Sequence, residues 1–359
     1  MRFGLFGSAQ ARRGVADVDS AVGFRAFVDY NVEAESLGFV STFLVEHHFT
    51  GLGQVSATLN LLTFIAARTT TLRLGTAALV LPWHNPVLLA EQVATLDLLS
   101  RGRVDFGIGM GYRHREFAGF CVPMEEAEAR FHESLAVMLK AWTSDEPWSH
   151  SGKYWQFDDV VVEPPTAQQP HPPLWMGAGT AGSIKKVAAL GCNLLLDQYS
   201  TIEEIVERTA LFKAEVERLG RRFDPMSVGV TRSINVLDTQ AELEKAYENR
   251  IAAKRRIDRL TVRPENQNAR RVSSDETICA GALYGTPEAI ARKLETLRAG
   301  GVAYILVNCP GAAAGLRRFA HEVRPGFLDG GPRNGPPSPP DVRAAPAEPW
   351  RPSLTRERS

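Results

Sequence analysis

Eight times along the chain, a short apolar run is followed by a longer segment whose apolar residues recur with helical period. The runs are "RFGLFG", "TFLVEHH", "LRLGTAALVL", "VDFGIGMG", "PLWMGA", "NLLLDQ", "SVGVTRSINVLD" and "AYILVNC". The helical segments that follow them are 20–37, 56–68, "PVLLAEQVATLDLLS", 125–142, 181–190, 201–219, 239–256 and 312–324. Strands that are apolar on both faces need cover on both sides, which a parallel sheet wrapped by amphipathic helices provides. Eight such units in 359 residues favour an α/β fold of the closed (β/α)8 TIM-barrel type over an open doubly wound sheet.

Two stretches stand outside the bare barrel. Residues 148–165, "WSHSGKYWQFDDVVVEPP", read as a hairpin inserted before strand five. Residues 256–280 are polar and weakly periodic, and lie between helix seven and a further helix starting at "GTPEAIARKLETL". Arg255, Arg256, Arg259, Arg263, Arg270 and Arg271 fall in or beside this stretch, and an insertion of that length reads as a functional lid or a disordered segment rather than structural filler. From Leu328 onward the chain is dense in proline and poor in aliphatic residues, too poor to bury the surface that would order it. The expected organisation is a barrel domain over 1–327 and a disordered tail over 328–359.

Charge and cysteine usage exclude several function classes. Lys plus Arg and Asp plus Glu are both 41, so no net field draws the chain to nucleic acid or an anionic membrane. No run approaches the roughly 20 apolar residues of a membrane span, and the start "MRFGLFG" is unlike a signal peptide, so a cytoplasmic protein is expected. Cys121, Cys192, Cys279 and Cys309 lie far apart with no CxxC pair, which argues against a metal site or a disulfide scaffold. A small, mostly uncharged partner fits this surface better.

In a barrel of this class, chemistry collects where the strands end. Neighbouring side chains on a strand alternate, so "EHHFTG" should turn His47 to the barrel mouth and His48 to the surrounding helices. The bland alternative is one histidine bonded to backbone and one solvated. Small residues Gly75 to Ala78 in "GTAALVLPWHNP" suit close approach to a flat ligand, or else a barrel layer that needs small side chains. "GIGMGY" is weak support for a dinucleotide, whose fingerprint belongs at the first strand-to-helix turn. In "WMGAGTAGSIKK", Gly177, Gly179 and Gly182 with Thr180 and Ser183 stand between a strand and a helix start. That arrangement suits a phosphate group or an ordinary Ser-capped helix.

Together these stretches resemble the bacterial luciferase-like flavin monooxygenase family over roughly residues 1–326. The motifs "LVEHHFT", "LGTAALVLP", "NPVLLAEQVATLDLLSRGRVDFGIG" and "GTPEAIARKL" match in order and spacing, and several look closest to the luciferase catalytic subunit. The resemblance implies reduced FMN, with deazaflavin F420 as the alternative cofactor. It implies His47 as the active-site base and Ala77-Ala78 as a non-proline cis peptide under the flavin ring. The phosphate would rest on Gly179, Thr180 and Ser183, with Arg130 as charge partner.

The chain departs from luciferase at Gly109 and Met110, where that enzyme has a reactive cysteine and a phosphate-binding arginine beside the cofactor. Bioluminescence is therefore not inferred. The reaction implied is oxygenation of a largely hydrophobic organic substrate by O2 through a flavin hydroperoxide, with reduced flavin supplied by a separate NAD(P)H flavin reductase. An F420-dependent hydride transfer is the competing enzyme reading, and a non-catalytic flavin-binding subunit is the third. The resemblance also implies a homodimer in which His48 meets Glu91 of the other subunit.

Overall fold

The computed structural model describes residues 1–11, 21–259 and 274–328. Its centre is built from β1 (Arg2–Gly7), β2 (Ser41–Leu44), β3 (Arg73–Thr76, resumed at Leu79–Val80) and β4 (Val104–Gly109). It continues through β5 (Leu174–Gly177), β6 (Asn193–Leu196), β7 (Val228–Val236) and β8 (Tyr304–Asn308). Each strand pairs in parallel with the next, and β8 returns to β1 through Phe3↔Ile305, which closes the sheet. The (β/α)8 barrel expected from the apolar runs is the fold.

The wrapping helices are α1 (Val22–Ser36), α2 (Thr58–Ala66), α3 (Pro86–Ser100), α4 (Ala127–Thr143), α5 (Ala181–Ala189), α6 (Ile202–Arg218), α7 (Gln240–Arg259), α8 (Pro287–Ala299, the helix expected at "GTPEAIARKLETL") and α9 (Ala312–Glu322). The boundaries of α3 show why these segments start where they do. The Asn85 side chain accepts from Val87 N–H at 3.0 Å and Leu88 N–H at 3.2 Å, and Pro86 occupies the first helical position, where no N–H is needed. The helix stops at Arg101, in the left-handed region with φ 61°, where Gly102 N–H caps Asp97 O at 2.8 Å.

Two layers of core follow from closure. Outside the sheet, Leu62 and Ile65 of α2 and Val93 and Leu96 of α3 pack against strand residues such as Leu74 and Phe106, all buried. Each such side chain contributes about 1.5–3 kcal/mol of burial. Inside the barrel, Phe43, Trp175, Leu195, Tyr304 and Leu306 form a separate cluster, with the Phe43 and Trp175 rings 5.4 Å apart and edge to face. A Cβ on Gly75 would stand 2.3 Å from the Phe43 ring. Gly75 is therefore small because a barrel layer demands it, not because a ligand approaches it.

Several sequence expectations need correction. The second strand ends at Leu44, so "VEHH" lies beyond the ladder, and the third is broken at Ala77-Ala78. The inserted hairpin before β5 is present as the antiparallel pair Trp148–Ser151 and Gln156–Val160. The stretch 256–280 is not one irregular loop. Its first four residues complete α7, and its last six form a helix, Asp275–Ala280, tied to α7 by Arg255 and Asp275 at 2.7 Å. Residues 260–273, including Arg263, Arg270 and Arg271, and the tail from 329 lie outside the described residues. Leu283–Gly285, which the sequence reading left unassigned, adds a short strand beside the end of β7.

Candidate active site

Four consecutive strands, β2 to β5, end beside one another and carry the residues singled out in the sequence. The chain leaves β2 at Leu44, and Ala77 N–H donates back to Leu44 O at 2.7 Å, which places the break in β3 beside the start of "VEHH". The Ala77-Ala78 peptide is cis. Next along the rim, a Cβ on Gly109 at the end of β4 would sit 3.5 Å from Ala78 Cβ, so small side chains keep this floor low. The GxGxG spacing has packing causes: a Cβ on Gly107 would strike Thr76 O at 1.8 Å, and Gly111 has φ +76° against Phe117 and Val80. Met110 follows β4 and is partly buried against the core.

Two histidines diverge from this rim, although not by strand alternation. His47 turns to Glu116, with Nδ1 3.2 Å from Oε1, and the same oxygen accepts the His48 amide N–H at 3.0 Å. Glu116 belongs to a short helix, His114–Gly119, that follows β4, and it is only 3% exposed. The His48 ring turns the other way. It packs edge-on against Phe120 at 4.7 Å and Trp83 at 5.7 Å, and its Nε2 stands 3.2 Å from Glu46 Oε1, out of line for a hydrogen bond. His48 thus has a carboxylate in its own chain rather than a bare outer face.

Glu46 fastens this corner of the site. Its Oε2 accepts Val80 N–H at 2.8 Å, and its Oε1 meets His84 Nε2 at 2.9 Å. Burial opposes ionisation of so enclosed a carboxyl, but the His48 and His84 imidazoles and the Val80 amide outweigh it and hold the group at about 2. The loop after the cis peptide is therefore pinned to the end of β2 by a carboxylate anion. Sequence reading passed over Glu46, His84 and Glu116, because each gains its meaning from a partner 34 to 69 residues away.

The fourth stave is the start of α5. Thr180 Oγ1 accepts Ser183 N–H at 3.2 Å and Ser183 Oγ accepts Thr180 N–H at 3.1 Å, a reciprocal cap. The cap expected as the plain alternative is thus present, with Thr180 in the N-cap position. A Cβ on Gly177, Gly179 or Gly182 would meet nothing within 4 Å, so the turn is an open cradle. The first helical amides there have no acceptor within the helix. A phosphate fits this turn through backbone donors, with the two hydroxyls already engaged in shaping it. Arg130 is occupied elsewhere, paired with Glu126 at 2.9 Å and stacked on Tyr154 at 4.4 Å. Among the described residues it makes no hydrogen bond to the Thr180–Ser183 turn. No cluster able to hold a metal ion, and no helix long and apolar enough to cross a membrane, occurs among the described residues.

Comparison with known proteins places the chain in a family. The family profile of luciferase-like monooxygenases matches residues 1–304. The oxygenase component of the flavin-dependent trigonelline monooxygenase of Acinetobacter baylyi is 29% identical over 237 residues, 64% of each chain. The alkanal monooxygenase alpha chain of the Kryptophanaron alfredi symbiont is 30% identical over 172 residues, 48% of each chain. The matched stretch thus spans less than two thirds of these two curated relatives. Among solved structures, monooxygenase RslO1 from Streptomyces bottropensis superposes with a TM-score of 0.77 at 24% identity, covering 91% of this chain and 100% of that one. With the profile spanning most of its length and the same barrel beneath it, the chain belongs to the luciferase-like monooxygenase family.

Proposed function

We propose that the protein is the oxygenase half of a two-component system in the cytoplasm. It would use reduced FMN, supplied by a separate NAD(P)H flavin reductase, and O2 to oxygenate a small, largely hydrophobic organic substrate. The carrying observation is the His47–Glu116 pair at the end of β2, on the same rim as the Ala77-Ala78 floor and the Gly179–Ser183 cradle.

Gly179, Thr180 and Ser183 would hold the phosphate of FMN, and Ala77, Ala78 and Met110 would line its ring. Bound reduced flavin supplies the electrons that activate O2. The chain supplies the rest. With Glu116 accepting from Nδ1–H, His47 keeps Nε2 free to take a proton at the reacting centre. Around the neighbouring His48, Phe49, Trp83 and Phe120 gather apolar surface at the same corner of the rim, which suits a hydrophobic substrate.

A homodimer belongs to the same reading. Phe64 on α2 is 58% exposed and Leu88 and Leu99 on α3 are 53% and 63% exposed, an apolar surface beside half-buried Glu91 that a second copy would cover. The partner's Glu91 would then reach toward His48 at the edge of its aromatic box.

The competing cofactor is F420. The F420-dependent secondary alcohol dehydrogenase shares the barrel at a TM-score of 0.73 and 17% identity, a likeness of fold alone. Turnover with reduced FMN and O2, set beside anaerobic turnover with F420, separates the two. Activity confined to F420 without O2 overturns the proposal.

A further inference from the structure

We infer that Arg113 is a positioning residue for His47, acting through Glu116; this rests on the reading of His47 as the base. Arg113 lies on the turn after β4 and is 3% exposed, yet among the described residues its Nε and Nη1 have no hydrogen-bond partner. A buried N–H left unpaired costs stability, so a guanidinium kept in this state needs a reason beyond stability. The backbone gives none. Arg113 O accepts Glu116 N–H at 3.0 Å and Phe117 N–H at 3.3 Å at the start of the short helix, a role open to many side chains.

Among the described residues, the ion-pair partner of Arg113 is Glu116. Arg113 Nη1 stands 3.6 Å from Glu116 Oε1, the oxygen that already serves His47 Nδ1 and the His48 amide. At that distance it attracts the carboxylate without competing for the lone pairs that the histidines use. Glu46, the other buried carboxylate of the rim, is taken up by Val80, His84 and His48. The cation therefore fixes where Glu116 Oε1 sits, and Oε1 fixes the proton of His47 on Nδ1. No water-accessible donor of Arg113's Nε or Nη1 is offered to a substrate, so its influence runs through the carboxylate.

The test is nitrogen NMR on the flavin-free protein with labelled histidine, His47 being assigned by its loss in His47→Asn. Wild type is expected to show His47 as the Nδ1–H tautomer. Arg113→Met should give a mixed tautomer at His47, while His48 and His84, held by Glu46, keep their signals and report an intact fold. Arg113→Lys should restore the single tautomer, since a point charge suffices, and Glu116→Gln should also mix it. An unchanged His47 tautomer in folded Arg113→Met overturns the inference, as does a failure of Arg113→Lys to rescue. The measurement needs no cofactor, so it stands or falls separately from the flavin reading, which reduced-FMN turnover tests.

Discussion

Glu46 and Glu116 stand at the same end of the barrel, both 3% exposed and both 3.2 Å from a ring nitrogen of the histidine pair, but their surroundings are opposite in kind. Glu46 is surrounded by donors: a backbone amide, His84 and, at its edge, His48. Glu116 faces His47, one amide and an arginine with donors to spare. A carboxylate whose partners are complete holds structure, since moving any partner breaks a good contact. One set among incompletely satisfied groups is poised to act on the residue it touches. On the proposed function, Glu46 is the architectural carboxylate and Glu116 the one that serves the base.

The sharpest way to break that division is to remove His47. His47→Asn is expected to lower oxygenation about 10²–10⁴-fold with any substrate that supports turnover, while the protein stays folded and binds reduced FMN within twofold of wild type. Steady-state rates beside an anaerobic flavin titration check it, and a loss of folding instead of rate would move His47 to the structural side.

Glu46→Gln should do the reverse, costing stability first. Holding a carboxyl at about 2 against its ordinary 4.5 is worth about 3 kcal/mol at neutral pH. Because the folded value is depressed, that stabilisation is complete above 4.5 and is lost as the pH falls toward 2. Wild-type and Glu46→Gln denaturation midpoints should therefore differ at pH 7 and converge in acid. A constant gap across that window contradicts the ionised clamp.

Away from both carboxylates, Thr180→Val with Ser183→Ala should weaken reduced-FMN binding about tenfold, or about 1.4 kcal/mol. The hydroxyls shape the cradle rather than carry the charge, so the expected loss is modest. Unchanged titration curves would move the phosphate elsewhere. The smallest effect is expected at His48, on the side of Glu46: His48→Ala should loosen the dimer severalfold in sedimentation and lower turnover only through that. A rate loss in an intact dimer would place His48 in the chemistry.

The barrel was legible because parallel strands are buried on both faces and read as apolar runs, and α3 because Asn85-Pro86 marks its start chemically. Strand ends were read too long. "TFLVEHH" stays apolar past Leu44, but Phe49 adopts φ 54° and the chain has left the ladder before the histidines. That cost little for His47, whose direction is set by Glu116, and more for His48, expected toward the surrounding helices, which stands beside Glu46 of its own chain. Gly75 looked like a ligand floor, and only the Phe43 ring opposite explains it. Arg113 and Glu116 sit three apart in "RHREF", a spacing that also describes an ordinary exposed helix pair. Glu116 gains its meaning from His47, 69 residues away, which no local pattern encodes.

On the proposed function, one rim, from His47 to the Gly179–Ser183 cradle, binds reduced FMN. Anaerobic titration of the purified chain with reduced FMN, followed by mixing with air and recording flavin reoxidation, tests it most directly. Saturable binding of one flavin per chain is expected and, in air, reoxidation that differs in rate from free flavin and is altered in His47→Asn. Absence of saturation with reduced FMN, together with saturable binding of F420, would contradict it.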